Sequence, residues 1–384
     1  MKLRVLDVMN EALGLVKKSD LGGATALIRK ALSGESAPVG ENGHSHARPP
    51  RTSAKVIPLA PRRPLGETLR ALRVRPIMPP SLPDTPSPAP ELDERFLRRA
   101  YHGPAGSLDY RLYVPADAER RDLALVIMLH GCTQSPEDFA LGTRMNALAE
   151  EFGLIVAYPH QTRLANPQGC WNWFDRRHQN RSSGEPAKLA GLAQALAKEF
   201  DVRRERVFAA GLSAGGAMAE VLAATYPDVF EAVGIHSGLP YKSAADVPSA
   251  FAAMKGTAAF DPAPLAASGR HVRKIIFHGM ADSTVNPVNG EHIFDEAERG
   301  EALTRSDLDW PIEGGRVSRV ALKDSDGQPV AEQWLVEGGG HAWFGGDPRG
   351  SFTQTVGLDA SRIMVRFFLT QAQEQIAIPS NRPL

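Results

Sequence analysis

"AAGLSAGGAM", residues 209–218, decides how the rest of the chain is read. "GLSAG" fits G-x-S-x-G, with Gly211, Ser213 and Gly215 at the fixed positions. The pattern alone is weak, because small-residue turns are common. Its flanks add weight: the strand-like run "RVFAA" precedes it and the helix-forming run "GAMAEVLAATY" follows. A serine on a strand-to-helix elbow sits on a strained turn and needs small neighbours on both sides. At the helix N-terminus the dipole also favours negative charge developing on Ser213. A Gly-rich phosphate turn is the competing reading. It is disfavoured because no lysine follows and the G-x-G-x-x-G spacing is absent.

Outward from this elbow, residues 96 to 372 alternate in type. "LDYRLYVP", "LALVIMLHG", "LIVAYP", "RVFAAGLS", "FEAVGIHSG", "RKIIFHGMAD" and "AEQWLVEGGGH" read as strands, most of them continuous apolar runs. "RMNALAEEFG", "PAKLAGLAQALAKEF", "AGGAMAEVLAATYP" and "DASRIMVRFFLTQ" read as helices. Buried strands alternating with helices predict an α/β domain with a mostly parallel central sheet covered on both faces. Sites in such sheets lie beyond the carboxyl ends of the strands, and the polar residues of this chain cluster there.

A serine hydroxyl is a poor nucleophile at neutral pH and needs a base. In domains built on this elbow the chain order is serine, then acid, then histidine. His341 follows "EGGG" at a strand end and precedes the glycine-rich "AWFGG", so it is the candidate base. His236 in "IHSG" and His278 in "FHGMAD" read as pocket-wall or hydrogen-bonding residues, and His292 falls in a helix-like stretch. Asp282, on a turn just past the strand "KIIF", is the candidate acid that orients the imidazole. Glu291 and Asp295 suit less, being on the following helix, and Asp261 in a loop before Pro262 is the remaining rival. Two backbone N–H groups should form the oxyanion hole: Ala214, after the nucleophile, and Cys132, in the "HGC" turn after an early strand.

The ends of the chain differ from this core. Residues 1 to 33 carry Leu6, Met9, Leu13 and Val16, then Ala24, Leu27, Ile28 and Ala31, at helical spacing, which predicts a small helical hairpin. Packing on the main domain, self-association or partner docking are its open roles. Residues 34 to 95 hold a dozen prolines between Pro49 and Pro90 and read as a largely disordered linker. The catalytic domain is expected over 96–384. The formal net charge of zero argues against a nucleic-acid binder that works by bulk charge. No apolar run is long enough to span a membrane. The charged N-terminus does not read as a secretory signal, which predicts a cytoplasmic protein. No metal-ligand spacing or cofactor motif is visible.

"LHGCTQSPEDFA", "ANPQGCWNWF", "GLSAGGAMA", "FHGMADSTVNPVNG" and "GGGHAWFGG" together resemble the polyhydroxybutyrate depolymerase family of α/β-hydrolase esterases, which also contains feruloyl and acetylxylan esterases. The resemblance covers roughly residues 105 to 370. It implies a triad of Ser213, Asp282 and His341 acting through an acyl-enzyme, and an extracellular location as the alternative to the cytoplasm. It also suggests a disulfide between Cys132 and Cys170, whereas a reducing compartment would leave two free thiols. Trp171 and Trp173 alternate with Asn172, so both rings can share one side of an extended segment. Core packing is the plain reading, and the resemblance favours a place at the substrate site. His130 and Trp343 are expected beside them as substrate-binding residues. The expected function is a serine carboxylesterase acting on short-chain hydroxyalkanoate esters. A carbohydrate-ester hydrolase releasing feruloyl or acetyl groups is the enzymatic alternative, and a non-catalytic binding scaffold the alternative of another class.

Overall fold

The sheet is built from runs such as "ALVIML", whose alternate side chains enter two different cores. In the computed structural model, which describes residues 94–120, 122–258, 271–299, 302–312, 315–355 and 357–370, that run is strand β3, Ala124–Leu129. Leu125, Ile127 and Leu129 join one hydrophobic core, and Ala124, Val126 and Met128 the other. A strand buried on both faces has no polar side, which is why it reads as continuous apolar sequence. The expected helical hairpin and nearly all of the expected linker lie outside the described residues.

The described residues form a ten-stranded sheet in the order β1-β2-β4-β3-β5-β6-β7-β10-β9-β8. Its strands are β1 Phe96–Gly103, β2 Gly106–Tyr113, β3, β4 Leu154–Pro159, β5 Val207–Leu212, β6 Ala232–His236, β7 Arg273–Gly279, β8 Thr304–Ile312, β9 Gly315–Lys323 and β10 Pro329–Val336. The six strands from β4 to β10 in that order pair in parallel, while β1–β2, β2–β4, β10–β9 and β9–β8 are antiparallel. A separate short parallel pair joins β11, Trp343–Phe344, to β12, Thr353–Gln354.

Helices cover both faces, as the sequence predicts. Helix α1 spans Pro136–Thr143, α2 Met145–Phe152, α3 Gly184–Glu199, α4 Ala214–Thr225, α5 Val247–Met254, α6 Val288–Ala297 and α7 Ala360–Leu369. Leu189, Leu192 and Leu196 of α3, Met218 and Leu222 of α4 and Ile293 of α6 bury into one core. Phe139 of α1, Leu148 of α2 and Met364 and Phe368 of α7 bury into the other. Helix starts follow local chemistry: Ser135 and Asp359 each accept the N–H three residues on, and Pro136 fills the first helical position of α1.

The β8–β9 hairpin is among the elements the sequence does not announce, with strand β1 and helices α1 and α5. Strand β8, "TRSDLDWPI", is exposed along most of its length, so no buried face imprints an apolar pattern on it. Arg305, Asp307 and Asp309 place charge along this open edge, which discourages pairing with another chain.

One contact fixes the serine elbow. The first turn of α4 lies so close to the end of β3 that a Cβ at Gly215 would collide with the Leu129 carbonyl oxygen and come within 2.8 Å of the His130 carbonyl. Both obstacles are backbone and cannot rotate away. Gly215→Ala should therefore lower stability by about 3 kcal/mol or more, through overpacking against main chain. Denaturant unfolding checks this, and a variant as stable as the parent would contradict the packing described.

Candidate active site

Ser213 is the one residue between β5 and α4, and it bears the turn's strain. It sits at φ 57°, ψ −118°, a region that side-chain-bearing residues rarely occupy. Its N–H donates to the His236 carbonyl at 2.8 Å, and its carbonyl accepts the Ala217 N–H at 2.9 Å. Strand β6 and the helix thus hold it from both sides. Ala214 opens the helix, and its N–H has no acceptor among the described residues, as expected for a first-turn amide.

Asp282 lies on the turn after β7. That turn is tied to β10 and the loop beyond it: Met280 N–H donates to Val336 and Ala281 N–H to Gly339, each at 2.9 Å. Asp282 Oδ1 accepts the Thr284 and Val285 amides, both at 2.9 Å. Its Oδ2 lies 2.7 Å from His341 Nδ1. The carboxylate side chain is wholly buried, whereas the imidazole keeps 12% of its surface exposed. Burial opposes ionisation of Asp282, but hydrogen bonds from His278 and His341, the His341 charge and the Val285 amide outweigh it and hold the carboxyl well below the usual carboxylate range. An ionised carboxylate only accepts, so His341 carries its proton on Nδ1 and leaves Nε2 as the basic nitrogen.

The third loop follows β3. Cys132 and Cys170 are joined as a disulfide with Cα atoms 4.2 Å apart, tying this loop to the one that follows β4. Thr133 N–H donates to the Gln168 carbonyl at 2.8 Å across the same junction. Gly131 N–H donates to Gln134 Oε1 at 2.9 Å, while Gln134 Nε2 donates to Asp138 at 2.9 Å and to the Ser351 carbonyl at 3.1 Å. The Cys132 N–H, like that of Ala214, has no acceptor among the described residues. Gln134 therefore links the β3 loop to the segment beyond His341. "HGCTQ" contains this residue, but its type and spacing alone do not reveal that link.

Four expected substrate contacts need correction. Trp171 and His130 are fully buried, Trp343 is 1% exposed and Trp173 5% exposed, so none presents a usable face to a substrate. The Trp loop is not a strand, although the two rings do share one side, and that side is the core rather than the site. Glu185 of α3 accepts both the main-chain N–H and the side-chain amide of Asn172, at 2.7 and 2.6 Å, and both indoles turn into the same core. Trp343 donates to Ser361 Oγ at 2.9 Å and packs edge-on against Phe139, so it anchors the His341 loop to the helices. The rival acid Asp261 lies outside the described residues.

Three buried histidines, each at a strand end, hold the three loops. His130, just past β3, accepts the Gln161 N–H on Nε2 at 3.2 Å, so its proton is on Nδ1, donating to the Gly131 carbonyl at 2.8 Å. His236, ending β6, accepts the Phe344 N–H on Nε2 at 3.2 Å and stacks on Trp343. His278, the last residue but one of β7, donates from Nε2 to the Val285 carbonyl at 2.9 Å. The hydrogen-bonding reading of His236 and His278 matches these contacts. Burial pushes His130 down to about 4, against the Gly131 bond, and pushes His236 well below its ordinary value. Both are neutral when folded at pH 7, whereas the unfolded chain protonates them below about pH 6.5.

Stability should therefore fall as pH drops from about 6.5 towards 4, by about 1.4 kcal/mol per pH unit for each depressed histidine. Asp282 adds nothing in the upper part of this window, being ionised in both states above about pH 5. Denaturant unfolding at pH 6.5 and 5 should show a slope about 1 kcal/mol per unit shallower in His130→Gln than in the parent. Equal slopes would contradict a neutral His130. The disulfide closes a separation of 38 residues, for which chain entropy gives on the order of 4 kcal/mol. Cys132→Ser with Cys170→Ser should lower unfolding stability by about that amount, and unchanged stability would contradict the bond.

Residues 108–303 match the family model described as esterase PHB depolymerase. The chain is 30% identical over 247 residues to poly(3-hydroxyalkanoate) depolymerase C of Paucimonas lemoignei, covering 62% of this chain and 58% of that protein. It is 28% identical over 197 residues to feruloyl esterase B of Neurospora crassa, covering 46% of this chain and 64% of that one. It is 27% identical over 200 residues to acetylxylan esterase A of Talaromyces purpureogenus, covering 48% and 51%. The chain thus spans between half and two thirds of the length of these relatives. The solved acetyl xylan esterase from Aspergillus awamori superposes with a TM-score of 0.53 at 19% identity, over 71% of this chain and 98% of that one. At that identity the likeness speaks for the fold alone, and it is the α/β-hydrolase fold. With the family model matching half of its 384 residues, the chain belongs to the esterase PHB depolymerase family.

Proposed function

We propose that this protein is a serine carboxylesterase whose triad is Ser213, Asp282 and His341. The observation that carries the reading is the 2.7 Å contact between buried Asp282 Oδ2 and His341 Nδ1, in the same strand-end loop region as the strained Ser213 elbow. Asp282 fixes the imidazole tautomer, so His341 Nε2 takes the Ser213 proton as Oγ attacks the ester carbonyl. The Cys132 and Ala214 N–H groups receive the oxyanion. Collapse of the tetrahedral species expels the alcohol, protonated by His341, and leaves an acyl-Ser213 ester. A water molecule deprotonated by His341 then attacks that ester, releasing the acid and restoring the serine.

The substrate class we propose is short-chain hydroxyalkanoate esters, such as oligomers of 3-hydroxybutyrate. Similarity to the poly(3-hydroxyalkanoate) depolymerase supports it. Release of feruloyl or acetyl groups from carbohydrate is the second reading, supported by the feruloyl and acetylxylan esterase relatives. The disulfide favours an oxidising, extracellular setting over a reducing cytoplasm. No helix among the described residues is long and apolar enough to cross a membrane.

Turnover of p-nitrophenyl butyrate tests the class. Ser213→Ala should lose about 10³-fold or more of kcat/KM, with little change in melting temperature. Near-parental turnover in that variant would refute the assignment, and no turnover in the parent would favour the scaffold reading. Hydroxybutyrate oligomers set against feruloylated and acetylated xylan then choose the substrate: the expected result is higher kcat/KM on the oligomers, and the reverse order selects the second reading.

A further inference from the structure

His278 is fully buried and lies next to the end of β7, four residues before Asp282. The mechanism above uses neither of its nitrogens. Its Nε2 lies 2.9 Å from the Val285 carbonyl and 3.5 Å from Asp282 Oδ2. A carbonyl only accepts, so Nε2 carries the proton. Nδ1 is buried and has no partner among the described residues. It faces Gly290 of α6, where a Cβ would stand only 3.0 Å away. A proton on Nδ1 would be an unsatisfied buried donor, so the N–H of the ring sits on Nε2.

That single N–H meets the acid by two routes. It closes the turn from Asp282 to Val285, the same turn whose Thr284 and Val285 amides grip Oδ1. It also presents its positive edge to Oδ2, the oxygen that His341 uses. The other ionisable groups around it are His341, from the loop after β10, and His236, from β6. Pure packing at this position would be served by an apolar ring, as at neighbouring Phe277. An imidazole with one nitrogen left unpartnered is a costly way to fill space. What it adds is the N–H.

We infer that His278 is a positioning residue for the acid of the triad: its Nε2–H locks the Asp282–Val285 turn and so fixes the aim of Asp282 Oδ2 at His341. This rests on the esterase reading and deepens it. The loss of aim should appear in kcat, because His341 must be oriented at proton transfer, and hardly in KM, because His278 is buried away from substrate.

The test is a double-mutant cycle on p-nitrophenyl butyrate, with His278→Phe and His278→Gln placed in the parent and in Asp282→Asn, and melting temperatures measured alongside. His278→Phe should lower kcat about 10- to 100-fold with KM within about twofold. His278→Gln, whose amide can donate to Val285, should recover about tenfold of that loss. In the Asp282→Asn background, His278→Phe should cost nothing further, since the residue it serves is gone. A His278→Phe enzyme with parental kcat, or one that loses the same factor in both backgrounds, overturns the inference. If His278→Phe does not fold, His278→Gln carries the cycle alone: a modest kcat loss that vanishes beside Asp282→Asn supports the role, and any other result overturns it. An Asp282→Asn enzyme with full turnover fails the triad reading itself, and the inference with it. Collapse in Asp282→Asn with an unaffected His278→Phe removes only the positioning role.

Discussion

The close approach of α4 to β3 is the constraint on which the site depends. No side chain fits at residue 215, so the first turn of the helix rests against the Leu129 and His130 carbonyls. Between β5 and that turn there is room for one residue, and Ser213 takes it at a positive φ. The proposed nucleophile is thus placed by main-chain packing, with the strain at Ser213 held between the two cores on either side of the sheet.

The loops that complete the proposed site start from strand ends. They are pinned there by buried imidazoles. His130 grips the turn that carries Cys132, His236 accepts an amide from the His341 loop, and His278 closes the Asp282 turn. A buried neutral histidine suits this task because one nitrogen donates and the other accepts, so a single ring can satisfy main-chain groups of either polarity. At His130 and His236 the same choice makes the fold sensitive to acid, because burial penalises the protonated ring. The disulfide and Gln134 add ties that do not titrate near neutral pH, one to the Trp loop and one to the segment beyond His341.

Much of this was legible in the sequence, for physical reasons. Strands β3, β4 and β5 are buried on both faces, so their sequences carry nothing but apolar residues, and the parallel core could be read directly. Ser213, Asp282 and His341 stood out because each falls where a strand ends in small residues. Strand β8 was illegible because it is exposed nearly throughout, and a solvated edge imposes no period. W-N-W correctly puts both rings on one side but does not reveal that this side is buried: the loop is held by Glu185, a residue on a helix that begins a dozen positions later. The structural histidines could be suspected but not sorted: "LHG", "IHSG" and "FHG" look alike, and only the partners of each nitrogen reveal which loop each holds.

The central claim is that Ser213 is the activated nucleophile of this fold. Covalent labelling with a fluorophosphonate, read by peptide mass spectrometry, addresses it most directly, because the reagent needs both an activated hydroxyl and a working oxyanion site. The account predicts one adduct per chain, on the peptide containing Ser213, growing in step with the loss of esterase activity. An adduct on a different serine, or inactivation that leaves Ser213 unmodified, would contradict it.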